Sequence, residues 1–172
     1  MTAINKNKFI VKEFKELGIY LAMSGEKFRS RSYENASDMF SMVNDVEASF
    51  KDGSIKKIKG IGDSIIRKLH ELITTGKISL LEDLRREFPI KLQELISLEG
   101  VGPVTIAKAY KDLRVTNREE LKRACLNGSV ANLPRVGVKK QTEILESISF
   151  AEYKKNVDKA DKEDSTQTKM GL

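Results

Sequence analysis

One cysteine, Cys125, and one histidine, His70, among 172 residues exclude an internal disulfide and leave no Cys/His set able to hold zinc. No stretch approaches the roughly eighteen uncharged apolar residues of a membrane span, and Met1 to Lys12 lacks the apolar core of a secretory signal. A soluble, intracellular protein is therefore expected. Excess charge of one sign is modest: 31 Lys and Arg stand against 25 Asp and Glu, with a pI of about 9.3. Bulk charge alone would hold a polyanion weakly. Only three prolines interrupt a chain that is 40% hydrophobic, enough apolar material for one or two small helical domains.

What the chain does have is a glycine pair written twice, in Lys59-Gly60-Ile61-Gly62-Asp63-Ser64 and in Glu99-Gly100-Val101-Gly102-Pro103-Val104. Each copy follows an apolar approach (Ile55, Ile58; Leu95, Ile96, Leu98) and opens an amphipathic helix. Two glycines allow a tight turn in which peptide N–H groups face outward at a helix N-terminus, where the macrodipole adds about half a positive charge. That arrangement suits phosphate. The amides of Gly60 to Ser64 and of Gly100 to Thr105 are the expected donors, with Lys59, Lys68 and Lys108 adding charge. No residue set reads base edges, so backbone contact without sequence preference is expected.

Periodicity predicts a helix over Ile4 to Met23, ended by Gly25, and a second one capped by Ser30 or Ser32 that carries Ala36, Met39, Phe40, Val43, Val46 and Phe50 on one face. A short helix near Ile55 to Ile58 leads into the first hairpin, Asp63 to Thr75 forms the next helix with Gly76 as its stop, and a brief one ends near Phe88-Pro89. The second half repeats this plan through Lys91 to Leu98, a helix through Ala109, and a helix capped by Asn117. Leu133-Pro134-Arg135-Val136-Gly137-Val138 reads as a third, degenerate hairpin with one glycine of the pair. The chain is thus expected to be all-α, with two small domains over residues 1–87 and 88–150, each built round a helix-hairpin-helix motif. Residues 151–172 form a charged tail, expected to be disordered or a frayed helix extension.

Two other readings compete. A repeat period near forty residues also suits a helical scaffold for protein interaction, although such repeats need no paired glycines at a helix start. A dinucleotide fold would need a strand before its glycines and a third glycine, and neither is present. Cys125 reads as a small core residue, Phe9, Phe14, Phe40 and Phe50 as core anchors, and Lys139 and Lys140 as either solvated or touching DNA.

Asn5 to Phe50, with Gly25-Glu26-Lys27-Phe28-Arg29-Ser30-Arg31-Ser32-Tyr33, resembles the opening of prokaryotic X-family DNA polymerases. Ile55 to Lys77 resembles their first helix-hairpin-helix and Leu95 to Arg123 the second, and Leu133 to Ile148 is similar to the third hairpin of the prokaryotic branch. In that family these segments form a small lyase domain and the fingers of polymerase beta-like enzymes. The family's palm, with the aspartates that hold two magnesium ions, and its phosphoesterase domain have no counterpart here, so no polymerase activity is expected of this chain. A palm on another chain, or another repair protein, is an expected partner beside DNA.

The resemblance implies further roles. Lys68 matches the lysine whose amine forms a Schiff base with a 5′-deoxyribose phosphate, which would make the chain a lyase for such ends or for abasic sites. Such a lysine needs a lowered pKa, for which Arg67 and the Lys56, Lys57, Lys59 cluster are the available like charges. Arg29 and Lys56 match residues holding the 5′-phosphate, Tyr33 matches a pocket tyrosine, and Phe28 an aromatic platform for a base. Ser64 and Leu80 depart from the family, where polymerase beta has lysines, and Arg67 replaces its glutamate. Glu71 and His70 are the other proton acceptors in reach. No cofactor is required; the resemblance implies a sodium or potassium ion on backbone carbonyls of Lys56, Ile58 and Ile61 in the first hairpin and Ile96, Leu98 and Val101 in the second.

Overall fold

The computed structural model describes the backbone of residues 3–167 and the side chains of residues 5–157. Every regular element among the described residues is helical, and the chain divides into two compact units, Met1–Pro89 and Ile90–Leu172.

In the first unit α1 (Ala3–Met23) and α2 (Lys27–Ser41) turn back on one another through Gly25, whose φ is 89°. They cross closely at Gly18: a Cβ there would lie 2.7 Å from Glu34 Cγ and 3.1 Å from the Ser30 carbonyl. Glycine in mid-helix sacrifices about 1 kcal/mol of helix propensity, and close approach of the two backbones is what it permits here. Around the crossing Phe14 packs edge-on against Phe40 at 5.0 Å between ring centroids and tilts toward Tyr33 at 5.9 Å. All three rings are buried, whereas Phe9 and Phe50 are half-buried, and Phe50 stacks on His70.

The second helix differs from its sequence reading at both ends. It starts at Lys27 instead of at a serine cap: Ser30 is buried inside it, and the Ser32 hydroxyl donates back to the Phe28 carbonyl. The single amphipathic run to Phe50 is broken at Met42 to Asp45, and α3 (Val46–Lys51) begins anew with Asp45 capping the Ala48 amide at 2.9 Å. Asn7 of α1 makes the break possible. Its amide nitrogen donates to the Val43 and Asn44 carbonyls and its oxygen accepts from Val46 N, so the interrupted backbone keeps its partners.

A short 3-10 helix (Ser54–Lys57) leads to α4 (Asp63–Thr75), ended by Gly76 at φ 74°, and α5 (Ser79–Glu87) packs on α1. Arg85 of α5 anchors that contact by donating to the buried Glu13 and Glu16 of α1 and to Glu82. Burial works against its charge, but the three carboxylate hydrogen bonds outweigh it and raise its pKa above the ordinary value. The N-terminus of α5 has no cap of its own; Glu71 of α4 supplies one, its Oε1 accepting from Ser79 N at 2.7 Å while its Oε2 accepts from Lys68. Hydrogen bonds from Lys68 and Ser79 lower the Glu71 pKa to about 2.

The second unit comprises α6 (Leu92–Ile96), α7 (Pro103–Leu113), α8 (Arg118–Leu126), a 3-10 turn (Val130–Asn132) and α9 (Gly137–Gln167). Asn117 caps α8 through the Glu120 amide at 3.0 Å. Ile144 and Ile148 of α9 are fully buried, and Lys122 of α8 pairs with Glu152. Cys125 is buried in this core, and burial pushes its thiol up to about 11, so it is inert filling. The backbone of α9 is helical as far as Gln167, well into the segment read from sequence as a tail; residues 168–172 lie outside the described ones.

Two outcomes follow for stability. Arg85→Met should lower unfolding free energy by about 3 kcal/mol in urea titration, because two buried carboxylates lose their partner, and adding Glu13→Gln with Glu16→Gln should recover part of the loss. Glu71 has a folded pKa of about 2 against 4.5, so its contribution is complete above pH 4.5 and vanishes as pH falls toward 2. Glu71→Gln should therefore melt below the parent at pH 7, with the two curves converging on acidification.

Candidate nucleic-acid interface

Each glycine pair builds the same turn. In hairpin 1 Ile61 N donates to the Ile58 carbonyl at 3.1 Å with Gly60 at φ 95°; in hairpin 2 Val101 N donates to Leu98 at 3.2 Å with Gly100 at φ 81°. The left-handed φ favours glycine at these first positions. The middle residues, Ile61 and Val101, are buried and pin the turns to their cores. The second glycines then lie in ordinary extended backbone, Gly62 at φ −91°, ψ 174° and Gly102 at φ −98°, ψ 171°.

Gly62 and Gly102 are the N-caps of α4 and α7, and neither helix has a side-chain cap. The first helical bonds are Ile66 N to Gly62 O and Ile106 N to Gly102 O. The amides of Asp63, Ser64 and Ile65, and of Val104 and Thr105, therefore precede any intrahelical partner. A Cβ built on Gly62 or Gly102 would meet nothing within 4 Å. Neither backbone strain nor packing asks for glycine there. What glycine leaves is open space in front of uncapped amides, where an anion can approach the main chain.

The side chains around hairpin 1 are unevenly engaged. Lys56, Lys59 and Arg67 are exposed and join no ion pair among the described residues. Lys68, on α4, is part-buried and its Nζ lies 2.7 Å from Glu71 Oε2. Tyr33 is buried, with its hydroxyl 3.4 Å from Ser64 Oγ, which joins α2 to the hairpin. Arg29 pairs with Glu26 at 2.6 Å, and that hydrogen bond raises its pKa against the opposing effect of burial, with the Tyr33 hydroxyl contributing. Phe28 is 87% exposed, an unusual position for a phenyl ring. His70 is taken up by stacking on Phe50, and Leu80 is half-buried.

Around hairpin 2, Thr105 is half-buried at the start of α7, and Lys108 donates its Nζ to the Pro134 carbonyl. Pro134 belongs to a third turn, Leu133 to Val136, closed by Val136 N to Leu133 O at 3.1 Å. Arg135 takes the place of the first glycine at φ 63°, and Gly137 turns to φ 75° instead of extending as Gly62 and Gly102 do. The turn is kept; the extended N-cap is not.

No cluster of three or more His, Cys, Asp or Glu side chains able to hold a metal is present among the described residues. The Ile58 and Leu98 carbonyls each accept one turn bond, and each keeps a second lone pair.

Residues 5–78 match the helix-hairpin-helix domain family. The chain is 30% identical over 145 residues to DNA polymerase/3′-5′ exonuclease PolX of Bacillus subtilis, an alignment covering 84% of this chain and 25% of that protein. It is 28% identical over 146 residues to DNA polymerase lambda of Arabidopsis thaliana, covering 78% and 27%. The chain thus spans about a quarter of the length of these relatives. It carries a helix-hairpin-helix domain over residues 5–78 and is homologous to the amino-terminal part of these X-family DNA polymerases.

Proposed function

We propose that the chain binds DNA through its phosphate backbone without reading sequence, and that gapped or 5′-phosphorylated repair intermediates are its preferred targets. The observation that carries this is the pair of N-cap glycines, Gly62 and Gly102, which the fold does not need and which leave the first amides of α4 and α7 without a side-chain cap. The relatives are DNA polymerases by name, and helix-hairpin-helix domains bind DNA. Lys56, Lys59 and Arg67 supply free positive charge beside hairpin 1; Arg29 would turn from Glu26 to a 5′-phosphate with the Tyr33 hydroxyl beside it, and Phe28 offers a face for stacking. A sodium or potassium ion on the carbonyls of Lys56, Ile58 and Ile61, and of Ile96, Leu98 and Val101, would lend each hairpin a positive charge toward phosphate. With about 2–4 phosphates neutralised, log affinity for duplex DNA should fall with log salt at a slope of about −2 to −4.

A side chain that caps a helix competes for the amides a phosphate would use. Asparagine is a better N-cap than glycine by a few tenths of a kcal/mol. Gly62→Asn and Gly102→Asn should therefore leave the melting temperature unchanged or slightly higher while weakening binding to a gapped 5′-phosphate duplex, measured by fluorescence anisotropy. Undiminished affinity in the double variant would falsify the amide reading.

A second reading, lyase chemistry, draws on the position of Lys68, part-buried on α4, the helix that hairpin 1 opens. The neutral amine would attack C1′ of the ring-opened sugar, water would leave as the imine forms, and loss of the C2′ proton to solvent would break the C3′–O bond and free the phosphate-ended strand. Water then releases the sugar from the lysine. In the structure Glu71, not a cluster of like charges, is what meets Lys68, so the pair must open before the nitrogen can attack. Borohydride added to the chain with incised abasic DNA should trap an adduct that Lys68→Ala abolishes; binding with no adduct leaves backbone recognition alone.

A further inference from the structure

Resting on the backbone-binding reading, we propose that Lys140 of α9, rather than Lys108 of α7, is the phosphate-facing cation of hairpin 2. Register between the two hairpins sets up the problem. Lys59, in the turn of hairpin 1, corresponds to Glu99 in hairpin 2, so the second turn carries the wrong sign for a phosphate. Pro103 also removes one of the amides that Asp63 supplies in hairpin 1. Lys108 corresponds to Lys68, yet its Nζ donates to the Pro134 carbonyl, which ties its side chain to the third turn.

Lys140 makes up the shortfall from another element. Its Nζ lies 3.1 Å, and its Cε 3.3 Å, from the point a Cβ on Gly100 would occupy, in a groove that Gly100 shares with Ser97, Ser147 and Arg118. Position is held from two sides: Glu143 Oε2 accepts from Lys140 Nζ at 3.3 Å, and Glu99 N donates to Ser147 Oγ of α9 at 2.8 Å, fixing α9 against the turn. Glu99, Glu143 and Glu146 line the groove together with Arg118, Lys154 and Lys155, and of the groove's cations Lys140 is the one that meets Gly100. Lys139, one residue earlier, is exposed and has no such neighbour. The glycine at position 100 thereby serves the turn and leaves room for the lysine.

The test compares Lys140→Gln, Lys108→Gln and Glu143→Gln in the full chain, titrating a gapped 5′-phosphate duplex across a salt series. Loss of one phosphate contact should flatten the log–log slope by about 0.9 and weaken binding about 5–10-fold near 0.1 M salt for Lys140→Gln. Glu143→Gln should tighten binding, and Lys108→Gln should leave the slope unchanged even if it lowers the melting temperature. Wild-type slope in Lys140→Gln, or tighter binding because the lysine only covers the turn, would overturn the assignment. Failure of the parent chain to bind the duplex at low salt would instead sink the backbone-binding reading itself.

Discussion

The fold and its candidate interface both depend on one turn-closing hydrogen bond, from the amide of a buried apolar residue to the carbonyl three positions earlier. In hairpin 1 that residue is Ile61 and in hairpin 2 Val101, each with a left-handed glycine immediately before it. The apolar side chain points into the core while the glycines on either side remain at the surface or near it. Fully burying an isoleucine or valine is worth about 1.5–3 kcal/mol, more than the roughly 0.5–1 kcal/mol of extra chain entropy lost by a glycine. Packing therefore holds in place a piece of main chain whose first helical amides carry no side-chain cap.

Electrostatics complements this geometry through which charges are left over, not through the total. A formal net charge of +6 is small for a chain with 31 basic residues. In the first unit Lys6, Lys51, Lys68, Arg29, Arg85 and Arg86 are matched with carboxylates, and Arg85 with three at once. Lys56, Lys59 and Arg67, which flank hairpin 1 in sequence, have no such partner among the described residues. Exposed pairs contribute at most about 1 kcal/mol each to stability, so a phosphate can open one, whereas the unpaired cations beside the uncapped amides meet it without that step.

Much of the architecture is legible in the sequence, and the exceptions have a common cause. Asp63–Thr75, with Gly76 behind it, follows from apolar spacing and a left-handed stop; Asn117 caps α8 as its side chain suggests. The second helix is where local reasoning fails. Serines at positions 30 and 32 look like caps, but Asn7, far away in sequence, supplies the hydrogen bonds that let the chain break between Ser41 and Val46. Gly18 is visible as a residue that weakens α1, though the helix crossing that repays it is not. At the site, the glycine pairs are plain from spacing, whereas the engagement of Lys68 by Glu71 and of Lys108 by Pro134 is a tertiary matter. Like-charge neighbours can be counted in a sequence; a carboxylate one helical turn on, shared with another helix's first amide, is decided by packing.

The third turn separates what the motif needs for folding from what it needs for an anion. Its closing bond matches the other two at 3.1 Å, and Arg135 accepts φ 63° to make it, so the bend survives without the first glycine. Non-glycine residues enter that region at a penalty of about 1–2 kcal/mol, which the buried Leu133 beside it and the packing of α9 offset. Gly137, however, does not extend the chain before the helix, and so the step that leaves open amides in front of α4 and α7 is missing. A turn that has lost its donors can still hold neighbours in place. This one presents the Pro134 carbonyl to Lys108 and starts the helix that brings Lys140 to Gly100, so its geometry acts on the second hairpin instead of on a ligand of its own.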